Sequence, residues 1–146
     1  MNRPAHQHRG ACHCGNLRWT LVSALAPAAL PARACQCSFC LRHGALSTSD
    51  PAGQLRFEVD DPAQLLRYRF ATRSADFLIC RRCGVYVGAL MEEGGAWFAI
   101  ANLNTLEGRE ALGPSPQPMD YDGETEAARR GRRHARWTPS AALAAG

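Results

Sequence analysis

Cys35-Gln36-Cys37-Ser38-Phe39-Cys40 puts three thiols within six residues, and four further cysteines stand in two pairs, Cys12-His13-Cys14-Gly15 and Cys80-Arg81-Arg82-Cys83-Gly84. In an extended segment, side chains two residues apart point to the same side. Cys35 and Cys37 therefore face one point, and a turn through Ser38 and Phe39 brings Cys40 round to it. Three sulfurs so close can share one metal ion, and the two pairs together supply a closed tetrahedral set. Zinc with four protein ligands is a structural site, whereas three ligands leave a place for water or substrate. The expectation is two zinc ions per chain, the first on Cys12, Cys14, Cys80 and Cys83, the second, more exchangeable, on Cys35, Cys37 and Cys40.

Spacing also permits another division, with Cys12 and Cys14 joining Cys35 and Cys37, and Cys40 joining the later pair. Keeping Cys35, Cys37 and Cys40 together is preferred because short loops lose little chain entropy on closure. His43 is a candidate fourth ligand, which would close the site, and His13 should point away from the metal. Gly15 and Gly84 follow their pairs where the chain must turn with positive φ, so that nearby N–H groups can donate to thiolate sulfur. An odd total of seven cysteines at such spacings reads as metal ligation in a reducing compartment, not as a disulfide framework.

A chain of 146 residues with 46% hydrophobic composition can bury one modest core. No apolar run approaches a membrane span, and Met1 to Gly10 lacks an apolar signal core, so the protein is expected in the cytoplasm. The formal charge is +4, but seven thiolates on two zinc ions would leave the holoprotein near about +1. General attraction to nucleic acid is then weak. All 17 cations are arginine, which excludes a lysine Schiff base or a P-loop lysine.

The pattern along the chain is of short strands. Asn16 to Val22 alternates, with Leu17, Trp19 and Leu21 on one face. Further strands are expected at Leu55 to Val59, Leu65 to Phe70, Asp76 to Ile79, Val85 to Leu90 and Ala96 to Ala101, with Ala32 to Cys37 extended. The Cys80/Cys83 pair falls between two of these, at a hairpin tip. Residues 1–9 are expected to be a mobile tail with His6 and His8 solvated, residues 10–138 a single zinc domain, and residues 139–146 a C-terminal tail. Gly113 to Pro118 should lack regular structure because of its three prolines, and no helix is expected with any strength. Gly44 suggests a tight bend after Cys40. The whole reads as a mostly β domain.

Gly10-Ala11-Cys12-His13-Cys14-Gly15, the Cys35 to Cys40 run with Gly44-Ala45, and Cys80-Arg81-Arg82-Cys83-Gly84 resemble the family of the glutathione-dependent formaldehyde-activating enzyme and centromere protein V. The order and spacing cover about residues 10 to 104, and Tyr121-Asp122-Gly123 with Arg136-Trp137 resembles the tail of short bacterial members. The resemblance implies an Mss4-like β-tent of antiparallel sheets with two zinc sites, divided four and three as above. It also implies a carbon–sulfur lyase type of activity, joining a thiol such as glutathione to a small aldehyde such as formaldehyde as an S-hydroxymethyl adduct. Cys35, Cys37 and Cys40 would then act as ligands of the open zinc. Arg42, Arg67 and Arg69 are the candidates for binding the carboxylates of the thiol substrate, since arginine forks match carboxylates. The alternative is a zinc-stapled binding module without catalysis, engaging protein or nucleic acid through Arg129, Arg130, Arg132, Arg133 and Arg136, although Glu124 and Glu126 dilute that run.

Overall fold

The computed structural model describes residues 5–113 and 116–143. The expected tail residues 1–4 and 144–146, and Pro114 and Ser115 of the proline-rich stretch, lie outside the described residues. The chain is mostly β. One small antiparallel sheet runs β1 (His6–Ala11), β2 (Leu17–Ser23), β5 (Gln54–Val59). The larger sheet is built from β3 (Arg33–Cys35), β4 (Ser47–Thr48), β6 (Leu65–Tyr68), β7 (Asp76–Cys80), β8 (Tyr86–Glu93), β9 (Ala96–Asn102), β10 (Gln117–Met119) and β11 (Thr138–Ser140). Its order is β10-β3-β4-β9-β8-β7-β6, with β11 paired to β9. Two α-helices flank it, α1 (Ser38–His43) and α2 (Glu126–Arg136).

The strand at the centre of this arrangement is β8, whose residues Tyr86 to Met91 are all buried. A strand buried on both faces needs a layer on each side. One face, through Val87 and Leu90, meets Leu17, Trp19, Leu21 and Leu55 of the small sheet. The other, through Tyr86, Ala89 and Met91, joins Phe77, Phe98, Ile100, Trp137 and Cys40 in a second core. Gly88 permits the close stacking of the sheets, since a Cβ there would stand 2.4 Å from the Ile100 carbonyl oxygen and 2.8 Å from the Phe57 ring. The two faces of β8 thus separate the two halves of the molecule, and each carries one cysteine cluster.

Several expectations need correction. Residues 6–9 are not a tail: β1 pairs with β2 from His6↔Ser23 to Ala11↔Arg18, and buried His8 shares a 2.8 Å hydrogen bond with the Leu25 carbonyl. The polar side chains hide this strand because it lies at the edge of its sheet, where one face stays wet. The C-terminal tail begins later than expected, since Thr138–Ser140 pairs with Trp97–Ala99. Gln117–Met119, which overlaps the end of the stretch expected to be irregular, pairs in parallel with Arg33–Cys35. Its place at the sheet edge tolerates Pro118, which has no N–H to donate. The basic run lies on the unexpected helix α2, capped by the Thr125 hydroxyl accepting from Ala128 N–H. The bend after Cys40 is a helix end: α1 stops at Gly44, whose φ is +57°, and Ala45 N–H donates to the Cys40 carbonyl. Among the described residues, no helix is long and apolar enough to cross a membrane.

Candidate functional site

The first cluster is built by two hairpin tips of the same design. Cys12 N–H donates to the Leu17 carbonyl at 2.9 Å, and Cys80 N–H to the Val85 carbonyl at 3.0 Å, each closing a tip over five residues. Gly15 and Gly84 turn the chain there with φ of +84° and +80°. The tips meet so that the four sulfurs of Cys12, Cys14, Cys80 and Cys83 lie within 4.8 Å of one another. All four are free thiols. Leu17 N–H donates to the Cys12 sulfur at 3.3 Å. Burial pushes the Cys12 thiol up to about 11. Burial also opposes ionisation of Cys83, but the N–H groups of Cys14 and Val85 outweigh it and hold Cys83 at about 6.

The second cluster lies on the other face of the large sheet. Cys35 ends β3, Cys37 caps α1, and Cys40 sits buried in that helix, again with all three sulfurs within 4.8 Å. The Cys37 sulfur accepts from Cys40 N–H at 3.4 Å. Hydrogen bonds from Cys35 and Cys40 hold Cys37 down at about 2. The same contacts, with burial behind them, push Cys40 far up, and the Cys37 contact raises Cys35. Like charges this close cannot all form in the absence of a cation. Each cluster groups its sulfurs closely enough that it could hold a metal ion, and thiolate sets in general suit zinc.

Phe39, between two of the ligating positions, fastens the helix to the sheet. Its ring lies 5.0 Å from Phe77, 5.1 Å edge-on from Tyr86 and 5.2 Å from Phe70. His43 belongs to this aromatic layer, 4.5 Å from Phe39 and 5.6 Å from Tyr86, and is not among the grouped ligands. His13 is exposed and also stands apart from the metal group beside it. The Tyr86 hydroxyl is buried with no hydrogen-bond partner among the described residues. Burial first, and then the negative charge of Cys40, Cys37 and Cys35, holds its phenol well above the usual range.

The three-cysteine cluster opens on a large cavity. Cys35, Cys37 and Cys40 line a space of about 660 Å³ with an apolar wall that includes Phe70, Phe77, Ile100, Met119 and Trp137. This is the size range of small-molecule sites. The parallel pairing of β10 with β3, continued by Gln36 N–H donating to the Met119 carbonyl, brings Asp120, Tyr121 and Asp122 to the rim, and α2 closes the opposite side.

The structure does not bring Arg42, Arg67 and Arg69 into this cavity. Arg67 and Arg69 pair with Asp76, and Arg42 donates to the Ser38 carbonyl at 3.0 Å on its own helix. The arginines that do line it are Arg33, Arg129, Arg132, Arg133 and Arg136. The run Arg129 to Arg136 is the signal that points to them, but its helical placement shows only in three dimensions. It is also not a uniform cationic surface. Glu124 accepts from Arg132 at 2.9 and 3.0 Å and from Arg129 at 3.3 Å, while Arg130 meets Glu93 at 2.7 Å. Arg132 lies 3.5 Å above the Tyr121 ring, which ties the rim to the helix.

No family model matches the chain. Among solved structures it is similar to the crystal structure of a Rhodobacter sphaeroides protein, at 30% sequence identity and a TM-score of 0.56, over 76% of this chain and 99% of that one. With that identity over almost the whole of the Rhodobacter sphaeroides protein, the chain belongs to the same family as that protein.

Proposed function

We propose that the protein is a zinc-dependent carbon–sulfur lyase-type enzyme that joins a small thiol, glutathione or a relative of it, to a small aldehyde such as formaldehyde. The observation that carries this reading is the contrast in access: Cys35, Cys37 and Cys40 line the cavity, and Cys12, Cys14, Cys80 and Cys83 do not. A mostly β chain with one closed and one open thiol cluster also fits the Mss4-like β-tent and the glutathione-dependent formaldehyde-activating family proposed from the sequence.

Cys35, Cys37 and Cys40 would hold the ion, and Cys12, Cys14, Cys80 and Cys83 a structural one. Zinc with three thiolate ligands would supply a Lewis-acid position that lowers the pKa of an added thiol. The chain's own residues prepare the place. Cys40 N–H supports the Cys37 sulfur, the aromatic layer around Phe39 keeps α1 in position, and Phe70, Phe77, Ile100 and Met119 exclude water. The net reaction adds the thiol across the carbonyl: sulfur bonds to carbon, the C=O π bond opens, and the thiol proton ends on oxygen. Holding both reactants in one cavity converts an encounter of two partners into a local step.

Cobalt substitution tests this reading. With both sites filled, a small thiol such as 2-mercaptoethanol should shift the thiolate-to-cobalt absorption of the open site. Cys40→Ser should abolish that response and leave the closed site's spectrum in place. No shift, with both sites filled, would overturn the reading.

A further inference from the structure

The cavity lining is also cationic. Arg133 is buried at 7% exposure, its Nε has no hydrogen-bond partner among the described residues, and its guanidinium lies 4.8 Å from the Trp137 ring. Its Nη1 donates to the Ser74 hydroxyl at 2.8 Å and toward the Met91 sulfur at 3.9 Å, neither of which carries charge. Arg33 donates to the Ser49 hydroxyl, and Arg136 stands exposed at the rim of the same cavity. Among the described residues no carboxylate lies within salt-bridge distance of any of these three, although Asp120 and Asp122 also line the cavity. Their neighbours on α2 differ in this respect, since Arg129, Arg130 and Arg132 all have glutamate partners.

A buried guanidinium with an idle donor and no counter-charge is costly. Burial draws Arg133 down to about 10 and lowers Arg33 as well, yet at neutral pH Arg133 keeps its proton. A fold keeps such a group where something from outside completes it. Among the described residues no cysteine sulfur is a hydrogen-bond partner of Arg133, and its Nη1 donates to Ser74 and Met91.

We propose that Arg33, Arg133 and Arg136 form an oxyanion subsite, which makes the ligand of this cavity a small molecule with a carboxylate or phosphate. The proposal rests on reading the cavity as the substrate site, but not on thiol chemistry. Planar N–H forks match both kinds of oxyanion, and the cavity volume leaves room for several bonds between the anion and the reacting atom. The subsite replaces Arg42, Arg67 and Arg69 as the determinant of substrate charge.

Titration calorimetry on the metal-loaded full chain tests it with probes that contain no thiol: glutarate, inorganic phosphate and the neutral glutaramide. At least one anion should bind and glutaramide should not, and the preferred anion says whether the ligand is a carboxylate or a phosphate. Arg136→Gln and Arg33→Gln should each weaken that binding about tenfold or more, as expected for loss of a charged hydrogen-bond partner. Because Arg133→Gln threatens the core, the two less buried variants carry the test, with melting curves to show that they are folded. Equal binding of glutaramide, unchanged affinity in both variants, or no binding of either anion would overturn the subsite. The cobalt response to 2-mercaptoethanol, which has no anionic group, reads the cysteine cluster separately. An anion that binds without a thiol response therefore rejects the enzyme reading alone, and the reverse result rejects the subsite alone.

Discussion

The two cysteine clusters hold similar sulfur atoms by different means. Cys14 and Cys80, 66 residues apart in sequence, have sulfurs 3.6 Å apart, so the first cluster joins the small sheet to the large one. Cys35, Cys37 and Cys40 come from a single strand end and one turn of helix. An ion in the first cluster cross-links the fold, whereas an ion in the second orders a short segment at the wall of a cavity. The lesson is that ligand count and chain separation together mark a structural site, and that a local ligand set leaves its surroundings free for chemistry.

The largest effect expected from this contrast is on stability. Cys14→Ser or Cys80→Ser should lower the thermal midpoint by roughly 10 °C or more, because metal binding energy at such a site is folding energy. Cys40→Ser should leave a cooperative transition close to that of the parent. Melting curves that placed the variants in the opposite order would exchange the roles of the two clusters.

Metal content should divide in the same way. Freshly purified protein should carry up to two zinc ions per chain, one of which a mild chelator removes within minutes while the fold persists by circular dichroism. The asymmetry follows from four enclosing thiolates against three. Both ions leaving at one rate would break the comparison.

A smaller effect concerns the polar group buried beside the open cluster. Tyr86→Phe removes a hydroxyl that has no partner among the described residues, so stability should stay within about 1 kcal/mol of the parent or rise. A larger loss in denaturant unfolding would mean that the hydroxyl has a partner when metal is bound.

The smallest effect belongs to the cavity wall. Arg132, and after it Arg129, hold Glu124 below the usual carboxylate range. A depressed folded-state pKa contributes stability that is fully present above the unfolded value, about 4.3, and is lost as pH falls through the folded value. The thermal midpoint of Glu124→Gln should therefore lie slightly below that of the parent at pH 6, and the gap should close as pH drops below about 4. A gap independent of pH would leave Glu124 no electrostatic part in holding α2.

Much of this was legible without coordinates because it depends on near neighbours in the chain. The Cys-x-Cys and Cys-x-x-Cys spacings impose short loops whatever the fold does, and Gly15 and Gly84 supply the positive φ those loops require. The alternation of Leu17, Trp19 and Leu21 announces a half-buried strand for the same reason, since a period of two is a property of the backbone. Helix α2 left no such trace. Its sequence, Glu-Ala-Ala-Arg-Arg-Gly-Arg-Arg-His-Ala-Arg, has no apolar stripe, and Arg129, Arg130 and Arg132 are held by Glu124, Glu93 and the helix's own Glu126.

The sequence by itself thus determined that the sulfurs stand in three local groups and that short strands would carry them, because ligand spacing and strand periodicity are set by covalent geometry. Only the tertiary structure decided that the two clusters fall on opposite faces of β8, that His6–Ala11 completes a sheet, and that Arg33 and Arg133 line one cavity although 100 positions separate them. Those outcomes depend on strand order and on the parallel pairing of β10 with β3, which bring distant residues together through the packing of the whole chain.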